Sequence, residues 1–118
     1  MEMWCDMKNY ETTLDSFLKE CQKLVNEHMK QYSWESILSV TKGRRCDKMV
    51  SEDMHEESHR NSKRVWAFVD KTNGDILKPE SWKKPAKHAR GNIYEKDRML
   101  FVYYNGPAYM DTIRNYYG

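Results

Sequence analysis

The sequence predicts a single α+β domain. It combines a small antiparallel sheet of four or five strands with a long N-terminal helix, a short basic helix after the central hairpin and a C-terminal helix. A helical period runs through residues 10–32, the tight-turn dipeptide Asn73-Gly74 separates two apolar runs, and helical and extended segments follow one another without an internal repeat. The length of 118 residues suits one domain with one core.

The N-terminal helix is predicted from the spacing of its apolar residues. These recur three and four positions apart between Leu14 and Tyr32, while charged residues fill the opposite face. Asn9, Thr12 or Thr13 can cap the start, because their side chains accept hydrogen bonds from free N–H groups of the first turn. Residues 1–9 show no period, so we expect a flexible terminus there.

A first hairpin is predicted from Ile37 to Val50, where short apolar runs flank Lys42-Gly43. The following residues, 51–63, contain several acids and a single strong hydrophobe, Met54. That composition is typical of a solvated connection. We therefore expect an exposed acidic loop between two strands.

The central hairpin is the most clearly specified part of the chain. Val65–Val69 is a short run of high β propensity, and Asn73-Gly74 tolerates the positive φ that a tight turn requires. Asp75–Lys78 is the predicted return strand. It ends at Pro79, because proline has no N–H to donate to a neighbouring strand.

The last third of the chain is predicted to form a short helix, a strand and a terminal helix. Pro85 suits the first turn of a helix that continues to Arg90, and Gly91 suits its end. Met99–Tyr104 is the candidate strand, and Ala108–Tyr117 is the candidate helix. We expect about half of the five tyrosines in this region to be core residues. The alternative is that they form a self-association or partner surface. They are Tyr103, Tyr104, Tyr109, Tyr116 and Tyr117.

The composition limits the class of protein. Hydrophobic residues make up 39% of the chain and charged residues 32%, while four Trp, eight Tyr and three Phe supply a small aromatic core. The net charge of +2 is too small to imply a polyanionic partner by itself. Three cysteines without a C-x-x-C pair indicate free thiols in a reducing compartment. Since no apolar run approaches about 18 residues and no signal peptide is evident, we expect a soluble, intracellular protein.

One string matches a metalloprotease pattern. His55-Glu56-Glu57-Ser58-His59 fits H-E-x-x-H, in which two histidines on one helix face bind zinc beside a general base. The segment lacks an apolar face and a third ligand, so we interpret the match as chance within a solvated loop, with adventitious metal binding as the alternative. No nucleophile elbow or glycine-rich phosphate loop is present, and Cys46 has no histidine in a recognised pattern. We expect no enzymatic activity, no cofactor and no metal site.

A basic segment, Lys78–Arg90, carries five basic residues and one acid, with a tryptophan and a histidine interleaved. Cations contact phosphates and aromatic faces stack on unpaired bases, so this pattern points to a polyanion such as single-stranded nucleic acid. The candidate binding residues are Lys78, Trp82, Lys83, Lys84, Lys87, His88 and Arg90. The alternative is structural, with Trp82 in the core and the lysines solvating a surface turn.

The stretch Val65–Tyr94, VWAFVDKTNGDILKPESWKKPAKHARGNIY, resembles a family of small uncharacterised proteins of tailed bacteriophages and related environmental viruses. The common core of that family reads approximately FVD-x-x-NGDVLKAASWKAPAKHARGNI, and GPAY at Gly106–Tyr109 is similar more loosely. Pro79 and Glu80 stand where small residues are usual, and Lys84 stands where alanine is usual. The resemblance implies a viral origin and an early or accessory protein made in the host cytoplasm. It implies no activity.

Taken together, these patterns favour a non-enzymatic phage accessory protein that binds a polyanion through Lys78–Arg90. The alternatives are a protein that inhibits or modulates a host defence or replication factor through its aromatic surface and acidic loop, and a minor virion component. We expect no membrane partner.

Overall fold

The fold is one antiparallel sheet with a helix at each end of the chain. The structure is a computed structural model that describes residues 2–32, 34–54 and 61–117. Its helices are α1 (Glu2–Met29) and α2 (Met110–Tyr117). Its strands are β1 (Glu35–Thr41), β2 (Cys46–Met54), β3 (Asn61–Asp70), β4 (Asp75–Pro79), β5 (Pro85–Asn92), β6 (Val102–Tyr103) and β7 (Gly106–Pro107). Strands β1 to β5 form one sheet in chain order, and β6 pairs with β7. The predicted α+β class is confirmed.

Both predicted hairpins are present. Strands β1 and β2 pair antiparallel around Lys42-Gly43, and β3 and β4 pair around the Asn73-Gly74 turn. Gly74 has a φ of 82°, in the left-handed region that favours glycine. Its N–H donates to the carbonyl of Asp70 (2.7 Å), and the side-chain oxygen of Asn73 accepts the N–H of Asp75 (2.8 Å).

The sheet separates two hydrophobic clusters, because successive residues of a strand point to opposite faces. One cluster contains Val69 and Ile76 together with Phe17 of α1. The other contains Phe68 and Leu77 and no residue of α1. The sheet therefore has a face covered by α1 and a second face, which we call the open face.

A β-bulge brings Trp66 into the core under α1. Met49 pairs with Ala67 and Val50 pairs with Val65, so Trp66 is the extra residue on β3. A bulge locally breaks the alternation of side chains. Trp66 and Ala67 can therefore both join the cluster that contains α1, although they are neighbours in sequence.

Two predicted boundaries are wrong. α1 begins at Glu2 rather than near Tyr10, because Glu, Met and Lys have high helix propensity and sustain a helix without an amphipathic pattern. The predicted acidic loop is shorter, since residues 51–54 belong to β2 and residues 61–63 to β3. Glu52 lies opposite Lys63 there, a cross-strand pair of opposite charge that favours the longer strands. Residues 55–60, which include the H-E-x-x-H string, lie outside the described residues.

The predicted short basic helix is also wrong, because Pro85–Asn92 is strand β5. So short a segment does not hold a helix without tertiary packing. Pairing with β4 supplies its backbone hydrogen bonds instead. Pro85 lies opposite Pro79, at the end of the ladder, where a missing N–H is tolerated. The predicted last strand is reduced to β6.

The C-terminal helix is present as α2, but none of its residues is buried. All five C-terminal tyrosines are exposed, with exposed fractions from 43 to 71%. The expectation that about half of them would be core is therefore wrong. Phe101 is the buried aromatic of this region, and the rings of Tyr116 and Tyr117 meet it edge-on with centroids 5.4 and 5.9 Å away.

Candidate anion-binding cleft

A cavity of about 750 Å³ lies on the open face of the sheet. Its floor includes Phe68 and Leu77, and its walls come from residues 41–46 at the β1–β2 turn and residues 83–87 at the start of β5. Seven basic and two acidic side chains line it, so we call it the basic cleft. The basic residues are Lys42, Arg44, Arg45, Lys48, Lys83, Lys84 and Lys87, and the acidic residues are Asp70 and Asp75.

The sheet register explains how segments distant in sequence meet at this cleft. Lys48 of β2 pairs with Phe68 of β3, Phe68 pairs with Leu77 of β4, and Leu77 pairs with Ala89 of β5. These four residues form a row across the sheet, at right angles to the strands. The β1–β2 turn and the β4–β5 connection therefore lie on either side of strands β3 and β4.

Only some of the cations in the cleft are paired with acids. Lys42 forms an ion pair with Glu11, Arg45 lies 3.7 Å from a carboxylate oxygen of Asp70, and Lys84 lies 3.2 Å from Glu80. The cation of each pair is at least half exposed, so these pairs contribute little stability. Within the described part of the chain, the other four cations of the cleft have no ion pair. They are Arg44, Lys48, Lys83 and Lys87. Their charge is available to an anionic ligand.

A buried carboxylate fixes the β1–β2 turn. Asp47 is completely buried, and it accepts the N–H of Gly43 (3.1 Å) and the hydroxyl of Tyr10 (2.9 Å). The ammonium groups of Lys42 and Lys71 lie 3.3 and 3.4 Å from it. Burial, together with the hydrogen bond to Asp47, raises the pKa of Tyr10 well above its usual value. The turn that carries the two arginines is thus held from its inner side.

Trp82 borders the cleft and is not a core residue. Its side chain is 48% exposed, so the structural alternative for this residue is wrong. The ammonium nitrogen of Lys48 lies 4.5 Å from the centroid of the Trp82 ring and 6.0 Å from that of Phe68. Lys48 therefore sits between the cleft floor and an exposed aromatic ring, within range of a cation–π interaction.

Lys78 and Arg90 do not line the cleft but hold the C-terminal segment. The ammonium of Lys78 donates to the carbonyl of Pro107 (2.9 Å), and the guanidinium of Arg90 donates to that of Ala108 (3.4 Å). We call residues 104–108 the C-terminal strap. Arg64 donates to the same strap, at the carbonyl of residue 105 (3.2 Å).

Of these three cations, Arg90 is buried and Lys78 is half-buried. Arg90 is only 8% exposed, its Nε has no hydrogen-bond partner among the described residues, and burial lowers its pKa. Burial also lowers the pKa of Lys78, with Arg90 and Arg64 acting in the same direction. Both side chains are therefore engaged with the strap, and neither lines the basic cleft. Of the other predicted residues, Lys83, Lys84 and Lys87 line the cleft, and His88 is exposed outside its lining.

The structure adds four basic residues that the sequence analysis did not select. Lys42, Arg44, Arg45 and Lys48 lie in and beside the β1–β2 turn, about 30 to 36 positions before the start of the predicted segment. The sequence signal is the run KGRRCDK, which by itself predicts only a turn. The pairing of β2 with β3, of β3 with β4 and of β4 with β5 is what joins the two basic segments.

The described residues contain little else that points to chemistry. Among them, no group of three His, Cys, Asp or Glu side chains is placed to hold a metal ion. Burial raises the pKa of Cys21 in the core and of Cys46 in the cleft wall, which makes both thiols poor nucleophiles at neutral pH. Neither helix, over the residues described, is long and apolar enough to cross a membrane.

The fold and the cleft define a small α+β protein whose sheet is covered by a helix on one face and presents a basic cleft on the other. A model of a family of unknown function (DUF7717) matches residues 2–108, and the chain belongs to that family. No curated protein matches the chain. No solved structure matches it either. The matched residues include the whole basic cleft and end before α2.

Proposed function

We propose that the protein binds nucleic acid, most favourably single-stranded, through the basic cleft. The observation that carries the proposal is the convergence of seven cations from two distant segments of the chain on one cavity, four of them without an ion pair among the described residues. Phosphate contacts by Lys and Arg supply most of the affinity of sequence-independent nucleic-acid binding.

The placement of the cations favours a chain of phosphates over a single one. Arg44 and Arg45 lie beside the β3–β4 turn, because Cys46 pairs with Asp70 and the N–H of Lys71 donates to the carbonyl of Arg45 (3.0 Å). Lys83 and Lys84 lie at the opposite end of β4, beyond Pro79. β4, which runs between the two groups, is five residues long and spans about 13 Å at about 3.3 Å per residue. A polymeric anion can contact both groups.

The exposed ring of Trp82 favours a single strand over a duplex. A base can stack on an aromatic side chain only when it is not already paired and stacked within a double helix. The resemblance described above supports the biological setting: a non-enzymatic accessory protein of a tailed bacteriophage, made in the host cytoplasm.

A second candidate function is modulation of a host protein. Tyr109, Tyr116 and Tyr117 are the most exposed aromatic residues of the described chain, and α2 buries none of its own residues. Tyrosine is enriched at protein interfaces. This function would use the C-terminal end of the molecule and not the basic cleft.

Binding of a fluorescent single-stranded oligonucleotide, measured by anisotropy over a range of salt concentrations, tests the proposal. The variant K83A/K84A/K87A should bind more weakly. Its plot of log affinity against log salt should flatten by about two, at about 0.7 for each lost phosphate contact on a single strand. K23A/K30A/K96A removes the same charge from exposed positions outside the cleft lining and should bind like the native protein.

Two results would overturn nucleic-acid binding at this site. One is no shift with any strand type at low salt, and the other is equal weakening by the two triple variants. Capture of a host protein that survives K83A/K84A/K87A and is lost in Y116A/Y117A would instead support the second function.

A further inference from the structure

The floor of the basic cleft is apolar, which a site for phosphates alone does not require. Phe68 is only 3% exposed and Leu77 is 8% exposed, and Pro85 and Ala86 continue the apolar surface toward one wall. Phosphates bind well to cations on a flat surface, where they remain partly hydrated. The cavity volume of about 750 Å³ lies instead within the roughly 300–1,000 Å³ of clefts that bind small organic ligands.

We propose that the basic cleft seats an unstacked nucleobase on its apolar floor while the flanking cations hold the phosphates on either side. This inference rests on the nucleic-acid binding proposed above. It adds that the protein recognises the base itself and not only the charge of the backbone.

The charges inside the cleft agree with a base in its interior. Asp70 and Asp75 line the cavity, and a carboxylate repels a phosphate but accepts hydrogen bonds from the amino groups of a base. The Asp70 carboxylate is held in place, because one oxygen accepts the N–H (2.8 Å) and the hydroxyl (2.6 Å) of Thr72. The acids are therefore fixed polar groups in an otherwise cationic site.

Phe68 in the row across the sheet and Trp82 beside it give the base two aromatic neighbours. The Lys48 ammonium lies over the rings of both Phe68 and Trp82, at 6.0 and 4.5 Å from their centroids. A single-stranded nucleic acid aligned with β4 would pass from the arginines at one end to Lys83 and Lys84 at the other. Its bases would face this row. One base enters the cleft, and the exposed Trp82 ring is available to the next.

A comparison of ligands with equal charge tests the inference. The native protein is titrated, at one salt concentration, with a single-stranded oligonucleotide and with an abasic strand of the same length, which carries the same phosphates. Because one stacked base is worth about 1–3 kcal/mol, the base-bearing strand should bind on the order of tenfold to a hundredfold more tightly. Equal binding of the two strands overturns the base site and leaves nucleic-acid binding standing. No binding of either strand overturns both.

A variant that fills the cleft without changing its charge gives the matched control. Ala86→Trp adds bulk to the cleft lining, whereas Thr12→Trp places a tryptophan at an exposed position of α1, on the other face of the sheet. A86W should lose most of the preference for the base-bearing strand, keeping only what a base on Trp82 contributes, and T12W should keep the full difference. Unchanged discrimination in A86W overturns the proposal.

If A86W does not fold, the thiol of Cys46 in the cleft wall provides a second readout on the native protein. The base-bearing strand should slow alkylation of Cys46, followed by mass spectrometry of its peptide, and the abasic strand should slow it less. Equal protection by the two strands contradicts a seated base.

Discussion

At the scale of single residues, Asp47 links the core to the basic cleft. A buried carboxylate is costly unless charges and hydrogen bonds compensate it. Here Lys42 and Lys71 supply positive charge, and Tyr10 and the N–H of Gly43 donate hydrogen bonds. The same contacts order the turn that carries Arg44. The cleft therefore has a preformed wall whose geometry depends on a residue that no ligand touches.

Tyr10→Phe tests this network through its dependence on pH. The substitution removes a hydrogen bond to a buried charged group and should lower the free energy of unfolding at neutral pH by about 1.5–3 kcal/mol. The pKa of Tyr10 is raised on folding, so its contribution is present below about pH 10, where the unfolded phenol ionises, and is lost as pH rises further. The stability of the native protein should therefore decrease above about pH 10 more steeply than that of Y10F.

Urea unfolding of both proteins across the alkaline range gives the measurement. Cys21, whose pKa is raised by burial, contributes a decrease of the same sign, but it is present in both proteins and cancels in the comparison. Parallel stability profiles for the native protein and Y10F would show that the Tyr10 hydroxyl does not act in this way.

At the scale of elements, the β3–β4 turn brings polar residues to the cleft. Asn73 and Asp75 both line it, and Gly74 between them has the left-handed φ. A Cβ atom at Gly74 would also come within 2.6 Å of the Tyr94 ring. The turn depends on the absence of a side chain at this one position.

Gly74→Ala should lower the free energy of unfolding by about 1–3 kcal/mol, because alanine is strained at positive φ and its methyl group meets the Tyr94 ring. Gly91→Ala is the control. A Cβ at Gly91 would lie 3.4 Å from its nearest neighbour, Cδ1 of Ile76, and no left-handed φ is involved. Thermal unfolding of the two variants should give a clearly larger loss for G74A, and equal losses would contradict the role assigned to the turn.

The elements that the sequence predicted are those whose signal is local. The period of α1 and the Asn73-Gly74 turn each contain the physical reason for their structure within a few residues. β5 does not, because the segment from Pro85 to Arg90 has no apolar alternation and becomes a strand only by pairing with β4. The pairing of β5 with β4 therefore outweighs the local helix signal that Pro85 and Gly91 provide.

The candidate site was predicted in part for the same reason. Lys83, Lys84 and Lys87 could be selected from the sequence because they are close together in it. Lys78 and Arg90 have the same charge, but their side chains donate to the C-terminal strap. The arginines of the β1–β2 turn were missed because only the sheet register brings them to the cleft. Charge alone does not tell which face of a strand a cation occupies.

At the scale of the whole molecule, the charge is distributed unevenly between the two faces. The net charge is only +2, although the cleft is lined by seven cations and two acids. The sum along the chain is small because acids lie elsewhere, including those that alternate with lysines on the exposed side of α1. Local concentration of one sign, and not net charge, is what raises the potential at a cleft.

The C-terminal region divides into a strap that the fold requires and a helix that it does not. The strap carbonyls are the acceptors of Lys78 and Arg90, and removing them would leave a half-buried and a buried cation without those partners. α2 buries none of its residues and lies beyond the residues that the family model matches. α2 packs on the rest of the fold through the edge-on contact of two tyrosines with Phe101 and through contacts with β5.

Truncation at two points separates these roles. A chain that ends at Tyr109 should remain folded with a loss of about 1–2 kcal/mol, the value of the lost aromatic contacts at Phe101. It should bind single-stranded nucleic acid as the full chain does, because no residue of α2 lines the basic cleft. A chain that ends at Asn105 should lose cooperative unfolding, since it lacks the acceptors of Lys78 and Arg90.

Two thermal results would place the boundary between strap and helix elsewhere. One is loss of the transition in the chain that ends at Tyr109, and the other is an unchanged transition in both truncated chains. If the chain that ends at Tyr109 lost oligonucleotide binding while remaining folded, the binding surface would extend to the C-terminal tyrosines.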